Sequence, residues 1–222
     1  MIVLDVNFKA TRRQMVDQQI RAWGVLDPRV VAVMGSMARE RFVPERYRYV
    51  AYADSDIPIG HGEVMLVPKV QGRLLQALEL EEGQRVLEIG TGTGYLTACL
   101  LALGAAVSSV DIHEDFVRSA AQNLEAEGFR GADIQQEDAH TLAAAGPQYD
   151  AILVTGSLPV ADPSFPRRLA VGGRLVWILG QEPAMRAEVL FRLGDDEWRS
   201  RGLFETVAPA LKGTAAPRRF DF

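Results

Sequence analysis

RVLEIGTGTGYLT, residues 85–97, changes character twice along its length. Val86, Leu87 and Ile89 form a short apolar, partly β-branched run, the composition of a strand buried on both faces. Gly90, Gly92 and Gly94 follow, and helix-forming residues then take over. Glycine lets a backbone turn sharply and lets a ligand approach it closely. Strand, glycine-rich turn and helix open a nucleotide-type α/β unit, whose ligand is expected beyond the strand's carboxyl end. The spacing is G-x-G-x-G, and Tyr95 stands where the dinucleotide pattern G-x-G-x-x-G needs its last glycine. No lysine is near enough for a P-loop, and Glu88 is a poor neighbour for a phosphate. The stretch suits a ligand of net positive charge.

On the amino-terminal side, residues 8–23 suit a helix, with Met15, Gln18, Gln19 and Ala22 on one face and Val16, Ile20 and Trp23 on another. Gly24 is placed to stop it. Asp27-Pro28 predicts the cap and first position of a second helix reaching Met37. Four arginines in residues 39–48, RERFVPERYR, are expected on a solvated face packed by Phe42, Tyr47 and Tyr49. Residues 53–68, ADSDIPIGHGEVMLVP, read as a long loop of the kind that carries function. A helix is expected over 69–80, ended by Gly83.

On the carboxyl side the pattern alternates as in doubly wound α/β proteins. Helices are predicted near 95–103 and 114–127, and strands at 106–110, 133–136, 149–154 and 174–179. A short helix is expected within 162–170. Residues 188–193 and 198–206 flank GDDE as an antiparallel hairpin, and the tail beyond Pro209 is expected to be irregular.

Composition bounds the function. The 222 residues, 48% hydrophobic and 24% charged, suffice for one buried core with an appendage. A net charge of −5 argues against binding dominated by nucleic-acid phosphates. The single cysteine, Cys99 in ACLLAL, excludes an internal disulfide and reads as a small buried hydrophobe. His61, His113 and His140 are scattered and no spacing suggests a metal site. No nucleophile elbow is present, which argues against a hydrolase. Neither a signal peptide nor a membrane-spanning run is seen, so a soluble, cytoplasmic protein without membrane or nucleic-acid partners is expected.

Three acids, Glu88, Asp111 and Asp138, fall at the ends of successive expected strands. The 21 residues from Gly90 to Asp111 match the acid that bonds ribose hydroxyls in a mononucleotide half-fold. S-adenosylmethionine carries a sulfonium, an ammonium and a carboxylate, and an acid-lined crevice with close backbone approach suits it.

VLEIGTGTGY together with Asp111 and Asp138 resembles the class I S-adenosylmethionine-dependent methyltransferases. A longer pattern resembles the protein-L-isoaspartate O-methyltransferases over about residues 10–180: MVDQQI, RERFVPERYRYVAYADSDIPIGHG, YDAILVTGSLP and LAVGGRLVWILG. The resemblance implies a Rossmann-like, seven-stranded doubly wound sheet in a single domain. Residues 1–80 would be a helical extension with the acceptor loop, 81–210 the cofactor-binding core and 211–222 an irregular tail.

It further implies that Glu88, Gly90, Gly92 and Gly94 surround the methionine half of S-adenosylmethionine. Asp111 would hold the ribose and Asp138 with the Ala139 backbone the adenine, and Thr91, Tyr95, Ile112 and Thr155 would complete the cofactor set. Asp56, Ile59, Gly60, His61 and Leu66 would form the acceptor loop, with no metal. Family members methylate the free carboxylate of an isoaspartyl residue, releasing S-adenosyl-L-homocysteine. The ester closes to a succinimide that reopens partly to aspartate.

One departure stands out. After I-P-I-G-x-G the family continues Gln-Thr-Ile-Ser-x-Pro, with Thr and Ser hydroxyls beside the acceptor. This chain continues Glu63-Val64-Met65-Leu66-Val67-Pro68. Ser55, Ser157 or backbone amides are candidates to take over from those hydroxyls. Alternatively the acceptor is a small molecule or modified peptide, or the chain binds the cofactor without catalysis.

Overall fold

A pair of short strands, β1 (Ile57–Gly60) and β2 (Glu63–Met65), precedes the glycine turn and forms its own antiparallel hairpin. The main sheet follows in chain order as β3 (Arg85–Ile89), β4 (Ala106–Asp111), β5 (Asp133–Gln136), β6 (Tyr149–Leu158), β7 (Leu169–Gln181), β8 (Ala184–Arg192) and β9 (Trp198–Glu205). The computed structural model describes residues 7–142 and 146–215. The spatial order is β5-β4-β3-β6-β7-β8-β9. Strands β3 to β7 run parallel, whereas β8 pairs antiparallel with both its neighbours. The chain moves from β3 outward to β5 and then returns to the other side of β3 as β6. That reversal opens a crevice at the carboxyl ends of the strands. The seven-stranded, doubly wound sheet with a terminal antiparallel hairpin is the architecture expected from the sequence.

Among the described residues five α-helices accompany the strands: α1 (Phe8–Met15), α2 (Pro28–Ser36), α3 (Pro68–Ala77), α4 (Tyr95–Ala102) and α5 (Glu114–Ala126). The Asp27 carboxylate caps α2, accepting from the Arg29 amide at 2.8 Å, and Pro28 opens the helix. Gly94 begins α4 at φ +82, and a Cβ there would stand 3.3 Å from the Ala120 carbonyl. Its bareness therefore lets α4 start tight against α5. Within α4 Cys99 is fully buried, and burial pushes its thiol up to about 12, which leaves it inert. Arg29 ties the helical extension to the sheet by donating to the Leu80 carbonyl at 2.7 Å and the Leu103 carbonyl at 2.8 Å.

Four local expectations need correction. Residues 53–68 are not one loop, because the alternation around Gly60-His61-Gly62 closes the β1–β2 hairpin. The helix expected within 162–170 is a single 3₁₀ turn, Pro166–Arg168, after which β7 begins at once. The helix over 8–23 passes from α1 into a π-type turn at Val16–Ile20. Most consequentially, Arg39 does not lie on a solvated face but is fully buried, with its guanidinium bonded inside the core. The tail beyond Pro209 is anchored as far as Leu211, and its part over 216–222 lies outside the described residues.

Candidate active site

The carboxyl ends of β3, β4, β5 and β6 open into a cleft, at the switch point where open α/β sheets bind their ligands. The hairpin supplies further lining through Ile59, Glu63, Val64 and Met65. Residues 209–212 supply more through Pro209, Leu211 and Lys212. These two segments meet where Lys212 Nζ stands 2.9 Å from Glu63 Oε1.

Glu88, Asp111 and Asp138 all line this cleft. Glu88 is fully buried; its Oε2 accepts from the Thr97 hydroxyl at 2.5 Å and the Ser109 hydroxyl at 2.7 Å. Its Oε1 has no partner among the described residues. Burial pushes the carboxyl up to about 7, against the two hydroxyls that favour the charged form. A buried, half-satisfied carboxylate facing a cleft needs a donor, and a cationic ligand supplies one.

Asp111 Oδ2 accepts from the Gly92 amide at 2.8 Å and Oδ1 from the His113 amide at 3.0 Å. The carboxylate thus shapes the glycine turn and keeps lone pairs free for hydroxyl donors. Burial raises its carboxyl above the usual range, and the two amide bonds counter this. Asp138 Oδ1 accepts from the His140 amide at 3.0 Å and caps the turn Ala139–Thr141. The residue is therefore both a cap and a cleft acid. Gly90 sits at φ +94, and a Cβ there would lie 2.2 Å from the Thr155 hydroxyl. Only glycine fits between β3 and β6 at that point.

Among the cofactor candidates, Thr91, Gly92, Tyr95, Ile112, Ala139 and Thr155 also line the cleft, whereas Gly94 stands behind it as the start of α4. Among the acceptor-loop candidates Ile59 and Leu66 line it, and Asp56, Gly60 and His61 do not. Asp56 instead accepts from the Val67 amide at 2.7 Å, which secures the chain between the hairpin and α3. Gly60, at φ +124, backs onto Phe116. His61 turns away from the cleft to stack on His113, with ring centroids 3.9 Å apart and planes 9° from parallel. Its Nε2 lies 2.9 Å from Asp115 Oδ2.

The histidines are thus not all scattered, because His61, His113 and Asp115 bring donor atoms within 4.8 Å of one another. In nearly parallel rings the nitrogen lone pairs lie in separate planes and do not converge on one ion. The trio is a stacked contact anchored by a carboxylate.

Several cleft residues had no signal in the sequence: Gln71, His113, Phe116, His140 and Lys212. None belongs to the glycine motif; Gln71, Phe116 and Lys212 arrive through tertiary packing, whereas His113 and His140 each follow a strand-end acid by two residues and donate their amides to it. Arg39 stands behind Gln71 and the hairpin's exit. It donates to the Ala51 carbonyl at 2.7 Å, to the Leu66 carbonyl at 2.8 Å and to Gln71 Oε1. Its guanidinium also lies 4.8 Å from the centroid of the Tyr95 ring. One side chain thereby ties the hairpin's exit to α3 and to the start of α4.

Residues 10–207 match the family described as Protein-L-isoaspartate(D-aspartate) O-methyltransferase. Protein-L-isoaspartate O-methyltransferase 1 of Rhodopseudomonas palustris (strain HaA2) is 40% identical over 208 residues, 93% of this chain and 85% of that relative. The protein-L-isoaspartate O-methyltransferase of Methylorubrum populi is 34% identical over 208 residues, 93% and 98% of the two chains. A Plasmodium falciparum structure described as a protein-L-isoaspartate O-methyltransferase in complex with S-adenosyl-L-homocysteine shares the fold. It superposes with a TM-score of 0.80 at 19% identity, covering 94% of this chain and 99% of that one.

Proposed function

Since the chain belongs to the protein-L-isoaspartate(D-aspartate) O-methyltransferase family, we propose that it methylates the free carboxylate of isoaspartyl residues in proteins or peptides, with S-adenosylmethionine as donor. The observation that carries this reading is the convergence of Glu88, Asp111 and Asp138 on one cleft beside the glycine turn. Glu88 Oε1 would receive the ammonium of the methionine half, Asp111 the ribose hydroxyls, and Asp138 with the Ala139 amide the adenine. Bound S-adenosylmethionine would supply a methyl group on a cationic sulfur. In this reading residues 81–210 form the cofactor-binding core, and the extension before them carries the acceptor hairpin.

The chemistry asks little of acid–base groups. An acceptor carboxylate with a pKa near 4 is already ionised at neutral pH and needs no base. The protein's task is alignment, which is worth roughly 7–11 kcal/mol when both reactants are held in a near-attack geometry. The apolar side chains of Val64 and Leu66 in the wall support a second reading, transfer to a less polar acceptor.

One assay separates the two readings. Purified protein with radiolabelled S-adenosylmethionine is expected to place base-labile label on an isoaspartyl peptide and none on its aspartyl control. Cofactor binding without transfer to the isoaspartyl peptide would rule out the first reading, and labelled small acceptors in a cell extract would then support the second.

Glu88 gives a pH signature. A cationic ligand favours its ionised form, so cofactor affinity is expected to rise as pH increases through about 7. Without ligand the sign reverses. The folded state keeps a proton that the unfolded chain has lost, so stability falls as pH rises from about 4.5 through about 7. Glu88→Gln is expected to flatten both profiles. Calorimetric titration and urea denaturation across that window would show it, and unchanged slopes in the variant would exclude Glu88 as their source.

A further inference from the structure

We infer that Lys212 is the cation that receives the acceptor's carboxylate, in place of the hydroxyls missing from the hairpin. This rests on the isoaspartyl reading above and names the group that makes it workable.

A carboxylate brought against an apolar wall loses hydration and needs a charged or hydrogen-bonding partner there. Val64 and Leu66 offer none from their side chains. The two serines suggested by the sequence do not serve either. The Ser157 hydroxyl is buried and donates to the Ala208 carbonyl at 2.8 Å, and neither it nor Ser55 lines the cleft. Arg39 lies behind Leu66, but its guanidinium is bound to three acceptors in the core. Among the described residues lining the cleft, Lys212 is the one lysine or arginine.

Its backbone is held in place. Ser157, at the end of β6, donates its amide to the Pro209 carbonyl at 2.8 Å and accepts from the Leu211 amide at 2.9 Å. The Leu211 side chain then covers Gly90 and Gly156, reaching within 4.0 Å and 2.8 Å of where a Cβ on each would stand. Lys212 follows Leu211 in the lining of the cleft.

Its side chain is poised rather than spent. Nζ lies 2.9 Å from Glu63 Oε1, an ion pair that engages one of its N–H bonds. An ammonium has three donors, so Glu63 orients the group next to Val64 and leaves the others for an incoming carboxylate. Glu63 replaces the glutamine of the family pattern. An acid there would repel a carboxylate acceptor unless a cation stood with it, and Lys212 is that cation.

The test is Lys212→Met in the full-length protein, with Lys212→Arg as its conservative companion. Lys212→Met is expected to raise KM for an isoaspartyl peptide at least about tenfold, about 1.4 kcal/mol. S-adenosyl-L-homocysteine affinity should stay within about twofold, and Lys212→Arg should recover most of the loss. A charge-specific readout accompanies it. In the dead-end complex with S-adenosyl-L-homocysteine, wild type should bind the isoaspartyl peptide in preference to its isoasparaginyl amide, and Lys212→Met should lose that preference. Wild-type methylation with KM unchanged in Lys212→Met would overturn this inference and leave the isoaspartyl reading standing. A parallel loss of S-adenosyl-L-homocysteine affinity would also overturn it, assigning Lys212 to the donor's carboxylate. A wild type that neither methylates nor binds the isoaspartyl peptide would overturn both.

Discussion

Arg39→Ala is expected to destabilise the protein by about 3–5 kcal/mol, the scale of truncating a large buried side chain. The guanidinium is fully buried and bonds only neutral acceptors: the Ala51 and Leu66 carbonyls and the Gln71 side chain. Truncation leaves these acceptors buried and unpartnered, at about 1–3 kcal/mol each. It also removes the contact with the Tyr95 ring and opens a cavity. Against these costs stands relief from desolvating a charge, which already lowers the group's pKa. Arg39→Met leaves the same acceptors unpartnered but keeps most of the volume, and is expected to cost less than the alanine variant because it opens a smaller cavity. Urea denaturation measures both variants, and an alanine variant within about 1 kcal/mol of wild type would show that the network is energetically idle.

Asp111→Ala is expected to weaken S-adenosylmethionine binding by about ten- to one-hundredfold, the loss of charge-assisted hydrogen bonds worth about 1.5–3 kcal/mol. Two effects add. The variant loses the proposed acceptor for the ribose hydroxyls, and it releases the Gly92 and His113 amides now held at 2.8 Å and 3.0 Å. The glycine turn would then have to be ordered at the expense of binding. Asp111→Asn retains acceptor capacity at lower strength and is expected to fall between the two. Calorimetric titration with S-adenosyl-L-homocysteine reads the series. Undiminished affinity in Asp111→Ala would remove this residue from the site.

Much of this architecture is legible along the chain because its units are local. The alternation from residue 85 to residue 206 marks strands and helices by their own periodicity. Gly90, Gly92 and Gly94 mark a turn that side chains could not make at those φ values. Asp27-Pro28 announces α2 by capping chemistry alone. Where several weak signals compete the reading slips. The Pro- and Gly-rich run over 53–68 hides the β1–β2 hairpin, and an arginine-rich segment conceals that Arg39 is buried. An arginine is placed inside only when enough acceptors surround it, and those acceptors lie 12, 27 and 32 residues away along the chain.

The two halves of the cleft differ in the same way. The donor side is written in one strand–turn–helix unit and in acids at the ends of consecutive strands. Its chemistry is therefore readable from residue type and spacing. The proposed acceptor side draws on β2, α3, the end of β6 and a segment near residue 212, separated by up to 149 residues between Glu63 and Lys212. No periodicity links such residues, because their proximity follows from how the end of β6, the hairpin and the segment around residue 212 pack. From the sequence alone came the cationic ligand and the loss of two hydroxyls at Val64 and Leu66. Only the folded chain brings the Lys212 ammonium to Glu63, the residue before Val64.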